Sequence, residues 1–291
     1  MTMKIGLVGL GRMGAGMAER LRQKGHEVVG YDRSPDLSEV RSLEELVGAL
    51  PLPHVVWVMV PAGDPTESTL KQLVDLASPG DILIDGGNSY YKDSVRRAKE
   101  FDARGIRFLD IGTSGGIWGL EVGFCLMVGG PRDAFEAVEP ILRALAPENG
   151  YAHVGPSGVG HFTKMVHNGI EYGMLQAYAE GFALLHASEF DLDLRQIAAL
   201  WNQGSVVRSW LLELAERAFA KSPKLDDLRA YVDDSGEGRW TVLEAVERGV
   251  PAGVIAQSLF SRFASRDENS FAMRVIAALR NEFGGHPVKP S

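Results

Sequence analysis

Lys164, His167, Asn168 and Glu171 fall at i, i+3, i+4 and i+7 within the stretch GHFTKMVHNGIEYG. At about 100° per residue in a helix, these four side chains share an arc of roughly 100°. An amine and a carboxyl on one face can move protons, and the imidazole and amide between them can hold hydroxyl or carboxylate groups. A lone Lys/Glu pair at that spacing is ordinarily a solvated face. Here the stripe interrupts a largely apolar helix in which Met165, Val166 and Ile170 point elsewhere, so it is expected to line a site.

A second chemistry-bearing pattern lies near the N-terminus. Gly9, Gly11 and Gly14, with Leu10, Arg12 and Met13 between them, form G-x-G-x-x-G directly after a β-rich run. Such glycines supply a tight turn, close backbone approach to a pyrophosphate and helix–strand packing, and the helix that follows turns its free N–H groups toward the phosphates. The next β-rich run ends at Tyr31-Asp32, about 20 residues past the third glycine, where an acidic group bonds ribose hydroxyls. A carboxylate there repels a 2′-phosphate of about −2 charge, so Asp32 favours NAD. Arg33 beside it could reach that phosphate, leaving NADP as the second choice.

Two Gly-rich loops, Gly86-Gly87-Asn88-Ser89 and Thr113-Ser114-Gly115-Gly116, should lie at the carboxyl ends of parallel strands, where open α/β sheets bind ligands. Val60 and Pro61, after the third β-rich run, join Asn88 as further cofactor-binding candidates.

The elements that must position these residues follow from periodicity. KIGLVGL, HEVVGY, HVVWVMV, DILIDGG, RFLDIGT and FCLMVGG alternate with amphipathic stretches such as MAERLRQKG, STLKQLVDLA, DSVRRAKEFDARG and DAFEAVEPILRAL, as in a parallel sheet built from βαβ units. After Tyr151 the β-rich runs stop. A helix is expected over 158–188, then others over 193–203, 206–220, 240–249, 251–265 and 268–282. The reading is an α/β Rossmann-like, doubly wound N-terminal domain over 1–157 and an all-α C-terminal domain over 158–291, closing on the linker-like tail GGHPVKPS.

Composition excludes other classes. The 291 residues carry a formal net charge of −8 and no basic stripe, so nucleic acid is not expected as a partner. A single cysteine, Cys125, reads as a small apolar strand residue and fits a reducing compartment. The opening MTMKIGLVGLG lacks the order of a signal peptide, and no apolar run reaches about 18 residues, so no membrane association and a cytoplasmic location are expected.

Taken together, GLGRMG, DGGNSYYKDS, the SGG loop, GHFTKMVHNGIEYG, GRWT and RNEFGGH resemble the decarboxylating 6-phosphogluconate dehydrogenases, in a form shorter than the widespread one. The resemblance covers nearly the whole chain. It implies oxidation of 6-phosphogluconate to ribulose 5-phosphate and CO2, with Lys164 as general base and then acid, Glu171 as second acid, and no metal. Ser114, Gly115, Gly116, Asn88, His167 and Asn168 would hold the carboxylate and hydroxyls of the sugar acid. Tyr172, Arg239 and Thr241 would bind its phosphate, joined by Arg280 and His286 from the tail of a partner subunit in a homodimer or a dimer-based oligomer.

Two departures accompany the resemblance: Asp32-Arg33-Ser34 replaces an Asn-Arg-Thr that favours NADP, and the phosphate arginine aligns with Gln257, with Arg262 and Arg266 as candidates to replace it. The implied chemistry needs Lys164 neutral and Glu171 protonated, shifts that desolvation supplies. A β-hydroxyacid dehydrogenase of the 3-hydroxyisobutyrate type is the nearest competing reading, and Glu171 and RNEFGGH stand against it. A non-catalytic NAD-binding sensor is disfavoured by the intact Lys164/Glu171 pair, and imine-reductase relatives usually lack the lysine.

Overall fold

The computed structural model describes residues 2–289. The chain divides into two compact units, Met1–His167 and Asn168–Ser291. In the first, strands β1 (Lys4–Val8), β2 (Glu27–Tyr31), β3 (Val55–Val58), β4 (Ile82–Asp85), β5 (Arg107–Ser114), β6 (Cys125–Gly129) and β7 (Tyr151–Gly155) form one sheet in the order β2-β1-β3-β4-β5-β6-β7. Helices α1 (Arg12–Gln23), α2 (Leu43–Gly48), α3 (Asp64–Leu76), α4 (Tyr91–Asp102), α5 (Gly119–Val122) and α6 (Arg132–Leu145) connect the strands. Two apolar clusters form, one around Leu7, Trp57, Ile84, Ile111 and Ile141, the other around Val58, Leu73, Leu83 and Phe108.

The strand order reverses between β1 and β3, which makes the carboxyl ends of those strands the crevice of a doubly wound sheet. β1 through β5 are mutually parallel, as the β-rich runs imply. β6 is antiparallel to β5, so the sheet is parallel only in the main. The short path from β5 through α5 to β6 explains this, because a parallel return needs a full crossover.

Two elements escaped the sequence reading. β7 lies exactly where the β-rich runs were expected to stop, as an edge strand on β6 with alternating half-buried and exposed positions that dilute its apolar signal. The six-residue α2 is too short to show a helical period, yet it is capped by Ser42, whose hydroxyl accepts from the Glu45 N–H at 3.2 Å. Cys125 opens β6 and is exposed.

Helix α7 (Val159–His186) begins in the first unit and continues into the second. Beyond it, the described residues of the second unit form no strand and five further helices, α8 (Leu194–Trp201), α9 (Trp210–Lys221), α10 (Glu237–Arg248), α11 (Gly253–Ala264) and α12 (Phe271–Gly284). Its core is small, built on Phe182, Leu194, Ala198, Leu212 and Phe219. α12 has no buried residue, and Phe271, Met273, Ile276, Leu279 and Phe283 are all exposed. Arg280 lies inside α12, where the helix expected over 268–282 puts it and not on a tail beyond the last helix; the apolar period runs on to Phe283 before Gly285 turns left-handed.

Candidate active site

The G-x-G-x-x-G turn sits at the reversal of strand order. Gly9 has φ +94°, and a Cβ there would lie 2.7 Å from the Met59 carbonyl oxygen. A Cβ on Gly14 would fall 1.9 Å from the Gly9 carbonyl oxygen, so packing alone demands glycine at both positions. Gly11 is different: it is the N-cap of α1, makes no side-chain cap, and a Cβ there would meet nothing within 4 Å. The glycine that the protein's own packing does not require stands where a pyrophosphate would approach the helix N-terminus, so the turn fits a dinucleotide. Arg12 is exposed and Met13 packs on the core.

Asp32 is tied to this turn. Its Oδ2 accepts from the Leu10 N–H at 2.7 Å and its Oδ1 from the Ser34 N–H at 2.8 Å, so the carboxylate is fixed beside the glycine loop. Arg33 is exposed. At the end of β3, Val60 is half-buried, and the Pro61 carbonyl accepts from the Thr66 hydroxyl at 2.9 Å.

The loop after β4 is held from beneath by buried Asp85. Its Oδ1 accepts from the Gly87 N–H at 3.1 Å, and its Oδ2 from the Ser89 hydroxyl at 2.7 Å and from Arg97 at 3.1 Å. Of Gly86, Gly87, Asn88 and Ser89, only Asn88 is exposed, so the network presents one amide and conceals the rest.

The start of α7 is seated backbone against backbone. A Cβ on Gly160 would lie 2.2 Å from the Asp110 carbonyl oxygen, and one on Gly112 would lie 2.4 Å from Cβ of Lys164. Asp110, on β5, supplies an off-helix cap: its carboxylate accepts from the Gly158 N–H at 2.6 Å and the His161 N–H at 2.9 Å. Burial pushes the Asp110 carboxyl up, against the pull of His161 and the two amides. Lys164 is thereby buried near the carboxyl end of β5. One turn on, His167 Nε2 lies 3.4 Å from Ser114 Oγ, bringing together two residues that spacing alone had left apart. Gly115 and Gly116, both at positive φ, turn the chain just beyond Ser114.

In the second unit, Asn168 and Tyr172 are buried and Glu171 is half-buried. Asn168 Nδ2 donates to Glu237 Oε1 at 2.8 Å, and the Tyr172 hydroxyl accepts from the Ser235 N–H at 3.1 Å. Thr241 donates its hydroxyl to the Glu237 carbonyl at 2.8 Å and packs beside Gly169, where a Cβ would lie 2.6 Å from the Thr241 methyl. Thr241 is thus part of the seam between α7 and α10.

Arg239 is exposed and forms a bidentate pair with Asp234, Nε to Oδ1 at 2.7 Å and Nη2 to Oδ2 at 2.9 Å. Arg266 joins the same carboxylate at 3.1 Å, and the Arg239 contact chiefly holds the Asp234 pKa down at about 2. The guanidinium of Arg262 stacks on the Tyr172 ring, 3.5 Å from its centre, while Gln257 is exposed. Arg280 and His286 are exposed, His286 beside Phe283. No cluster of side chains suited to a metal occurs among the described residues, and no helix among them is long and apolar enough to cross a membrane.

Residues 4–155 match the NAD binding domain of 6-phosphogluconate dehydrogenase, and residues 160–283 match the C-terminal domain of the same enzyme. The chain belongs to the 6-phosphogluconate dehydrogenase family. A Bacillus subtilis protein provisionally named as a 6-phosphogluconate dehydrogenase is 47% identical, covering 98% of both chains. An NAD(+)-dependent, decarboxylating 6-phosphogluconate dehydrogenase of Haloferax volcanii is 45% identical, again over 98% of each. The Plasmodium falciparum 6-phosphogluconate dehydrogenase structure superposes with a TM-score of 0.84 at 29% identity, covering 99% of this chain and 67% of that one. The protein is therefore an oxidoreductase of this family with a nicotinamide-cofactor domain.

Proposed function

We propose that the protein catalyses NAD-dependent oxidative decarboxylation of 6-phosphogluconate to ribulose 5-phosphate and CO2 in the cytoplasm. The observation that carries this reading is the seat of Lys164: a buried lysine pressed against Gly112, one turn from a His167 paired with Ser114. The cofactor, when bound, supplies the hydride acceptor; Gly9, Leu10, Gly11, Arg12, Met13 and Gly14 would hold its pyrophosphate, and Asp32 its ribose. The carboxylate fixed by Leu10 N–H favours NAD over NADP.

Lys164 Nζ takes the proton from the 3-hydroxyl as hydride leaves carbon 3. It then returns that proton to the carbonyl oxygen as the bond from carbon 2 to the carboxylate breaks and CO2 departs. The 3-keto group is the electron sink, so no step calls for a metal. Glu171 protonates carbon 1 of the enediol as the hydroxyl at the former carbon 3 gives its proton back to Lys164, which restores the ketone. Glu171 stands two turns along α7 from Lys164, about 10 Å along the helix axis, which suits a role at another atom of the substrate.

Ser114, Gly115, Gly116, Asn88, His167 and Asn168 bind the carboxylate and hydroxyls in this reading. Tyr172, Arg239 and Arg262 take the phosphate, with Arg262 serving where Gln257 cannot. Arg280 and His286 come from a second copy of the chain. The deciding experiment measures NAD and NADP reduction with 6-phosphogluconate, gluconate and 3-hydroxyisobutyrate, with CO2 followed alongside. Cofactor reduction on 6-phosphogluconate without stoichiometric CO2 would overturn the reaction assigned.

A further inference from the structure

We infer that Glu237 is a positioning residue that fixes which way the Asn168 amide faces, an inference that rests on the proposed role of Asn168 in substrate binding. Glu237 opens α10 and is only 2% exposed. Among the described residues its carboxylate meets no cation. Oε1 accepts from Asn168 Nδ2 at 2.8 Å, and Oε2 accepts from the Ser235 hydroxyl. The free N–H groups of the first turn of α10 favour negative charge at this position, which offsets part of the cost of burying it.

A carboxylate can only accept hydrogen bonds, whereas an amide has one accepting and one donating end. Facing Glu237, the Asn168 amide must turn its nitrogen to the carboxylate, and its carbonyl oxygen is thereby aimed the other way. An acceptor so aimed suits a hydroxyl of a polyhydroxy acid. Neighbouring contacts remove the slack. A Cβ on Gly238 would lie 2.4 Å from the Tyr172 ring, and Ser235 is bound to the Tyr172 hydroxyl through its own N–H at 3.1 Å. The backbone on both sides of Glu237 is therefore pinned to the helix that carries Asn168. Sequence reading passed over this residue because an acidic side chain at a helix N-terminus is ordinary on propensity grounds; only its burial and its partner set it apart.

The test is a double-mutant cycle in the full-length enzyme. Glu237→Gln keeps size and shape but can offer either end of its amide, so the orientation of Asn168 is no longer unique. The expected result is a 10- to 100-fold rise in KM for 6-phosphogluconate with a smaller change in kcat. In the Asn168→Ala background the same substitution is expected to change KM less than threefold. The exchange Asn168→Asp with Glu237→Gln keeps an accepting oxygen at 168 and a donor at 237, and is expected to recover activity relative to either single variant. If Glu237→Gln fails to fold, Glu237→Asp, which draws the carboxylate back by one methylene, enters the same cycle. Independent, multiplying effects in the double variant would overturn the inference and leave Glu237 a merely structural residue, as would an unchanged KM in the single variant. Wild-type turnover is read first: a wild type that oxidises 3-hydroxyisobutyrate instead refutes the proposed substrate, and the cycle is then run on that acid.

Discussion

Gly112 on β5 and Lys164 on α7 touch so closely that a Cβ on the glycine would stand 2.4 Å from that of the lysine. No side chain fits between the strand and the helix at this level, so the lysine is placed by the absence of an atom. Gly112→Ala is expected to push α7 away from β5 at the level of Lys164. Overpacking of this kind costs roughly 1–3 kcal/mol. The melting temperature should fall, and turnover at saturating substrate should fall at least tenfold in protein that remains folded. Turnover unchanged in the folded variant would show that the site tolerates displacement of its lysine.

Asp32 should govern the cofactor. Asp32→Asn removes the charge while keeping an oxygen for the Leu10 N–H, so the glycine turn survives and the electrostatic preference does not. A charge-assisted hydrogen bond is worth roughly 1.5–3 kcal/mol, so kcat/KM for NAD should fall by about 10- to 100-fold and that for NADP should rise. The ratio of the two constants is the measurement, and a wild type that already prefers NADP would assign control of the pocket to Arg33.

The legible parts of the molecule were those whose cause is local. The G-x-G-x-x-G turn could be read because the positive φ of Gly9 and the closeness of Gly14 to the Gly9 carbonyl are set within a few residues of themselves. The polar face of α7 could be read because helical spacing alone groups Lys164, His167, Asn168 and Glu171. β7 and the antiparallel placement of β6 could not, because the alternating half-buried and exposed positions of β7 dilute its apolar signal and a β-rich run does not itself carry its direction in the sheet. Glu237 lies 69 residues from Asn168, and no spacing rule connects them. Arg262 was visible as a candidate, yet its stacking on Tyr172 depends on how α11 is packed in the second unit.

That stacking carries a prediction of its own. Arg262→Ala should lower the preference for 6-phosphogluconate over gluconate, taken as the ratio of kcat/KM values, by about 10- to 100-fold, the worth of one charge-assisted contact of roughly 1.5–3 kcal/mol. Gln257→Ala should leave that ratio within about twofold. The reverse pattern would return the phosphate to Gln257.

Asp234 sets a pH dependence with a definite sign. Its pKa in the folded protein is about 2, below the ordinary 3.8, because Arg239 and then Arg266 favour the ionised form. The folded state therefore binds fewer protons than the unfolded chain between these values. The stabilisation is complete above about pH 4 and is lost as the pH falls through about 2. Asp234→Asn should cost on the order of 1 kcal/mol near neutrality, since Arg239 is exposed and solvent screens the pair. Thermal melts of both proteins should show a constant gap from about pH 8 to 5 that narrows below about pH 4. A gap that persists undiminished at the acid end would mean that the carboxylate charge is not what stabilises this cluster.

The exposed apolar side of α12 and the placement of Arg280 bear on assembly. Phe271, Met273, Ile276, Leu279 and Phe283 project from a helix with no buried residue, which is costly in water and is relieved when a second copy covers it. Arg280 on the same helix and His286 just past its end would then be delivered to a neighbour's site, where a guanidinium suits bidentate binding of a phosphate. The expected minimum unit is a homodimer in which neither subunit is complete alone. Arg280→Ala and Lys164→Ala proteins, each nearly inactive, should complement one another when their subunits are allowed to exchange. Random pairing makes half the dimers mixed, and in a mixed dimer one of two sites receives both an intact lysine and an intact arginine. Recovery should therefore approach about a quarter of wild-type activity. Exchange demonstrated by mass or fluorescence without any recovery would confine Arg280 to its own subunit's site, or to none.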